Sequence, residues 1–108
     1  MSDAGVQQMP DGKLQRTVQV INKRGLHARA AAKFVKTAGG FDATVRVSAQ
    51  RCMAVSDGTA VSGRSIMGLM MLAAGPGSEL CIQTEGRQAK EALEALTTLV
   101  ENRFDEGE

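Results

Sequence analysis

Two hydrophobic rhythms alternate along this chain. Over residues 16–21 apolar side chains recur at every second position. Val18 and Val20 share one face and Thr17 and Gln19 the other, the pattern of a half-buried strand. After a turn at Asn22 to Gly25 the period changes. Ala31, Phe34, Val35 and Ala38 fall at helical spacing and predict a helix over 28–38, ended by Gly39 and Gly40. Residues 41–48 alternate again, with Ala43, Val45 and Val47 on one face. Asp57-Gly58 is a hairpin turn signal and predicts a further strand at 59–62. Ser65 reads as the N-cap of a short helix running to Ala74, which Gly75-Pro76-Gly77 stops. A strand over 78–84 points Leu80 and Ile82 inward. A long helix after Gly86 carries Ala89, Ala92, Leu93, Leu96 and Val100 as its apolar stripe.

The predicted order is β-α-β-β-α-β-α. It implies an α+β domain with a mostly antiparallel sheet and its helices on one face. Residues 1–14 read as a flexible polar extension, 15–104 as the folded domain, and the acidic residues 105–108 as a frayed end. The 108 residues suit a single domain with a modest core.

Composition narrows the function classes. With three Phe, no Trp and no Tyr, the chain lacks the stacking rings of a single-strand nucleic-acid reader. A net charge of +1 gives no strong field for nucleic acid or membrane. No apolar run approaches a membrane span, and the polar N-terminus has no signal core, so a cytoplasmic protein is expected. Cys52 and Cys81 are therefore read as reduced thiols rather than a disulfide. With one histidine in the chain, they do not make a zinc site.

That histidine carries the candidate chemistry. His27 stands in Arg24-Gly25-Leu26-His27-Ala28-Arg29, where strand gives way to helix. A helix start offers unpaired amides and partial positive charge, which favour an anion. A capping histidine without function is the plain alternative. Arg29, in the same first turn, tips the balance towards phosphate, because its planar fork of donors suits phosphoryl oxygens. A neutral imidazole can itself be the nucleophile, so the arrangement suits transient phosphorylation of His27 rather than hydrolysis. Arg29, Lys33 and Lys36 form a basic stripe that is either a solvated face or a guide for acidic partners. Ser65 to Leu72 is so apolar that it is either a buried core helix or, since one small sheet covers only one side of it, a methionine-rich patch open to partners.

Gly25-Leu26-His27-Ala28-Arg29 followed by Arg64-Ser65-Ile66-Met67-Gly68, in this element order, resembles the histidine-containing phosphocarrier (HPr) family of the bacterial phosphoenolpyruvate:phosphotransferase system. The resemblance spans about residues 15 to 103, and the two motifs together are specific. It implies an open-faced β-sandwich, a four-stranded antiparallel sheet covered by three helices. It also implies a phosphocarrier, not an enzyme, with no cofactor or metal of its own; enzyme I and a kinase bring their own Mg²⁺. In the family, enzyme I phosphorylates a histidine on Nδ1, here His27, and the carrier passes the phosphate to a IIA-type protein. The active-site arginine matches Arg29. The regulatory serine, target of an HPr kinase/phosphorylase, matches Ser65. The apolar contact surface matches Ile66, Met67 and Met70. Neither nucleic acid nor membrane insertion is implied. The branch served, sugar uptake or nitrogen-related regulation, is open, as is a regulatory module signalling by its phosphorylation state.

Three features depart from the family pattern. Ala30 stands where proline is usual, which leaves the first helical turn less fixed. The stretch around Ala49 to Val55 is roughly seven residues longer, and a bulge or protruding loop is expected because an odd insertion within a strand would reverse its faces. The third is the extension before residue 14.

Overall fold

The computed structural model describes residues 5–52 and 60–106. Strand β2 (Leu14–Gln19) leads through a turn into helix α1 (Ala28–Gly39), then strand β3 (Thr44–Ser48). Strand β4 (Val61–Ser62), helix α2 (Ile66–Met71), strand β5 (Glu79–Glu85) and helix α3 (Ala89–Glu101) follow. Before them, Gln7–Gln8 forms a short strand β1, pairing Gln7 with Gln15 and Gln8 with Leu14. Part of the expected loose extension is therefore an edge strand. Its Gln7 Oε1 accepts from Gln15 Nε2 at 2.7 Å. Among the described residues the sheet thus has five strands, in the order β1-β2-β5-β3-β4, and every pairing is antiparallel.

The period-2 pattern decides the faces. Val18, Val45, Val47, Leu80 and Ile82 point to one side and are buried. Against them pack Ala30, Ala31, Phe34 and Ala38 of α1, Leu69 of α2, and Leu93, Leu96 and Val100 of α3, in one continuous core. The three helices thus cover a single face, the open-faced β-sandwich expected. The predicted hairpin turn at Asp57-Gly58 lies outside the described residues.

The outer face is less open than the pattern implies. Residues 49–52 pass over this face, and the rest of the expected bulge or loop, 53–55, lies outside the described residues. Cys52 N donates to Thr17 Oγ1 on β2 at 3.0 Å, and Cys52 is joined to Cys81 on β5 by a disulfide. The expectation of two reduced thiols is thereby corrected. The two residues are separated by 29 positions in the chain, but their Cα atoms are 4.7 Å apart, within bonding reach. Cys81 points outward from β5, so the sheet itself presents it to the returning loop.

Helix α2 ends at Met71 rather than Ala74. Its exit residue, Ala73, has φ 53°, a left-handed conformation that reverses the chain as a C-terminal cap does. Of the apolar run, Leu69 alone is fully buried, while Ile66 and Met70 are about two-fifths exposed and Met67 and Met71 more so, at 71% and 80%. The helix is thus anchored by one leucine and shows four large apolar side chains to solvent.

Candidate functional site

His27 is the N-cap of α1. Its backbone is extended (φ −80°, ψ −179°), its carbonyl accepts from Ala31 N at 2.8 Å, and its ring Nδ1 accepts the Arg29 amide at 3.3 Å. Acidic side chains are absent from the first turn of α1, so nothing there opposes an anion. Ala30, where the family pattern has proline, is fully buried in the core. Its methyl anchors the first turn by packing, where a proline would anchor it by ring geometry.

The turn before the helix is held from two sides. Gly25 has φ +66°, and a Cβ there would lie 2.5 Å from the Ala74 carbonyl oxygen, so glycine is required on both counts. That same carbonyl accepts from Leu26 N at 2.8 Å. The exit of α2 therefore braces the residue before His27. Buried Asn22 closes the turn, its Nδ2 donating to the Gly25 carbonyl at 2.8 Å.

Sequence reasoning missed the third wall of the site. Beyond α3 the chain makes one tight turn, Arg103–Asp105, in which all three residues have positive φ (57°, 53° and 62°). Phe104 is fully buried there, and its carbonyl accepts from Lys33 Nζ at 2.6 Å. The next residue, Glu106, reaches the ring. Its Oε2 hydrogen-bonds His27 Nε2, and its Oε1 accepts from Asn22 Nδ2 at 2.9 Å. Partial burial pulls the Glu106 carboxyl upward. The hydrogen bonds from Asn22 and His27 and the charges of His27 and Lys33 outweigh this and hold it below its ordinary value.

The end expected to fray at 105–108 therefore closes on the active histidine candidate as far as Glu106. One signal for this was present: Phe104, four residues after Val100, continues the apolar stripe of α3 past the helix end. The basic stripe is also modified. Arg29 and Lys36 are exposed, whereas Lys33 is half-buried and committed to the Phe104 carbonyl.

A groove of about 240 Å³ opens beside the ring, lined by Lys23, Arg24, Arg29, Lys33, Asp105 and Glu106. Four cations face two carboxylates, so the groove carries net positive charge and favours an anion. The arrangement of His27 lends itself to nucleophilic chemistry. With the Nε2 proton directed at Glu106, the Nδ1 lone pair faces the helix start. Its hydrogen bond to the Arg29 amide is long, so an incoming group displaces it at little cost.

Ser65 is the N-cap of α2, with its Oγ accepting from Gly68 N at 2.9 Å. It stands immediately before the exposed Ile66 and Met67. Among the described residues no group of three or more His, Cys, Asp or Glu is placed to hold a metal ion. No helix among them is long and apolar enough to cross a membrane.

Comparison with known proteins agrees with this geometry. A family model described as the PTS HPr component phosphorylation site matches residues 14–102. The chain is 54% identical over 91 residues to the phosphocarrier protein HPr of Pseudomonas aeruginosa, covering 84% of this chain and 94% of that one. It is 48% identical over 95 residues to that of Cupriavidus necator, covering 88% and 99%. Among solved structures, the phosphocarrier protein HPr from Bacillus anthracis matches with a TM-score of 0.70 at 46% identity, over 82% of this chain and 96% of that chain. HPr from Thermoanaerobacter tengcongensis matches with a TM-score of 0.73 at 38% identity, over 85% and 96%. The chain belongs to the HPr family, the phosphocarrier proteins of the phosphotransferase system, which carry a phosphoryl group rather than act as enzymes.

Proposed function

We propose that this chain accepts a phosphoryl group from enzyme I on His27 Nδ1 and delivers it to a IIA-type protein in the cytoplasm. The observation that carries the reading is the placement of His27: Nδ1 faces the first-turn amide of Arg29 at 3.3 Å while Nε2 is engaged by Glu106. The arriving group takes the place of that amide contact. The first-turn amides and the Arg29 guanidinium then hold its oxygens. Arg29 is exposed and can follow the charge as it develops. The relay needs a site open to two successive partners, and the His27 side chain is 25% exposed.

Ile66, Met67 and Met70 form the docking surface for enzyme I. They belong to α2, the helix whose exit carbonyl at Ala74 braces Leu26 at 2.8 Å, so the docking helix is tied to the residue before His27. Ser65 is the regulatory site for an HPr kinase/phosphorylase. A phosphate on Ser65 stays at a helix N-terminus, so it leaves α2 folded while adding negative charge at the edge of the apolar surface. That charge opposes docking of an apolar partner.

The test is direct. Mixing the chain with enzyme I and phosphoenolpyruvate yields an acid-labile, base-stable phosphoramidate, absent from His27→Ala. Phosphate uptake by that variant would sink the proposal. For the regulatory site, incubation with the kinase and ATP gives an acid-stable phosphate that mass spectrometry places on Ser65; a phosphate found elsewhere removes that assignment. Transfer from the phosphorylated chain to a set of purified IIA proteins distinguishes a sugar branch from a nitrogen-related one.

A further inference from the structure

The residue that closes the site from the far end of the chain is unexplained by phosphate binding, since a carboxylate repels phosphate. We infer that Glu106 is a positioning residue for His27: it holds the ring by its Nε2 edge, so that the Nδ1 lone pair is presented to the start of α1. This inference rests on the proposed phosphorylation of His27.

The geometry shows a fixed contact rather than a passing one. Glu106 Oε2 engages His27 and Oε1 is itself held by Asn22 Nδ2 at 2.9 Å, so the carboxylate is oriented by a second partner. Asn22 is buried, and the same Nδ2 also donates to the Gly25 carbonyl two residues before His27. Three consecutive non-glycine residues with positive φ deliver Glu106 to this point. Such backbone is costly for non-glycine residues and persists where surrounding contacts over-determine it. Those contacts are the buried Phe104 ring and the Lys33 bond to the Phe104 carbonyl at 2.6 Å. Lys33 belongs to α1, so the helix that His27 caps also grips the turn that holds His27.

The ring gains a defined direction by this. A neutral imidazole has one proton and two nitrogens, and the partner of one decides the role of the other. A carboxylate accepts only, so it keeps the proton on Nε2 and leaves Nδ1 as the nucleophile. When the Nδ1–phosphorus bond forms, the donor's bond to phosphorus breaks and the donor leaves with its electron pair. Nε2 retains its proton throughout. The positive charge then on the ring faces the Glu106 carboxylate. Transfer to the acceptor runs the same steps in reverse. Arg24, Arg29 and Lys33 line the same groove as Glu106, and their cations offset the carboxylate's repulsion of the phosphoryl oxygens.

The test compares the wild-type chain with Glu106→Ala and Glu106→Gln. Nitrogen-15 NMR of His27 reads where the ring proton resides and how fast it exchanges, with no phosphate present. Phosphotransfer from enzyme I is timed in parallel. In the wild type the Nε2 proton is protected from exchange. In Glu106→Ala that protection is lost and phosphotransfer slows about fivefold, as for loss of one ordinary hydrogen bond. Glu106→Gln keeps an acceptor oxygen and stays within about twofold of the wild type in both readings. An alanine variant with an unchanged ring signal and unchanged rate overturns the inference. A glutamine variant as slow as alanine overturns it too, since charge alone would then be the cause. If the wild type takes up no phosphate, the phosphocarrier reading fails instead, and the NMR comparison still decides whether Glu106 orients the ring.

Discussion

At the scale of single residues, the site is a set of directions imposed on one imidazole. His27 caps its own helix, offers Nδ1 to the Arg29 amide and is engaged at Nε2 by Glu106. The same contact carries a pH dependence. The Glu106 carboxyl is held below its ordinary value of 4.5, against the pull of its partial burial. A depressed carboxylate contributes stability that is present above its unfolded value and is lost as pH falls through the folded one. The closure of the chain end on His27 is thus expected to persist through mildly acidic solution and to release only in stronger acid. A carbon-13 titration of the Glu106 side chain checks this. Its midpoint should rise in His27→Ala combined with Asn22→Ala, and an unmoved midpoint would show that these partners are not the cause.

The elements are tied to the site through their ends rather than their middles. α1 contributes its first turn, α2 the carbonyl beyond its last, and α3 the turn that follows it. This makes α2 the sensitive member. It has six residues, a Ser65 cap and one fully buried side chain, Leu69, so packing rather than propensity holds it. Leu69→Ala is predicted to cost about 2–4 kcal/mol, read by urea unfolding. Truncating Met67, which is mostly exposed, should leave stability within about 0.5 kcal/mol while weakening binding to enzyme I. A Met67 variant that binds as well as the wild type would remove that residue from the docking surface.

Across the whole molecule, the two faces of the sheet have separate tasks. The helix-covered face carries the core and, at one edge, the site. The outer face carries the Cys52–Cys81 link and the Gln7–Gln15 and Gln15–Gln83 hydrogen bonds, at 2.7 and 2.9 Å, which seat β1 on β2 and tie β2 to β5. Closing a loop of 29 residues restricts the unfolded chain by about 3.5 kcal/mol in the entropic account. Reduction with a dithiol should therefore lower unfolding stability by up to that amount, while phosphotransfer at His27 persists because no contact of the site runs through either cysteine. Equal stability with and without reductant would show that the link contributes nothing.

Alternation and helical spacing along the chain were enough to order the strands and helices, and to place His27 and Ser65 at helix starts. Those features depend on neighbours within a turn or two, where periodicity and capping act. The N-cap hydrogen bonds of both residues are local, and both were legible. Most of the departures join residues far apart in the chain. Gln7 pairs with Gln15 as an edge strand because β2 offers it a free edge. Cys52 meets Cys81 because β5 turns that side chain outward beneath the returning loop. Lys33 leaves the solvated stripe because a carbonyl 71 positions later needs a donor. Glu106 reaches His27 across 79 positions only because Phe104 is drawn into the core and three residues adopt positive φ to allow it. Which residue is the candidate for the chemistry was thus written in local pattern. Which way its ring faces was decided by contacts that exist only once the chain has closed on itself.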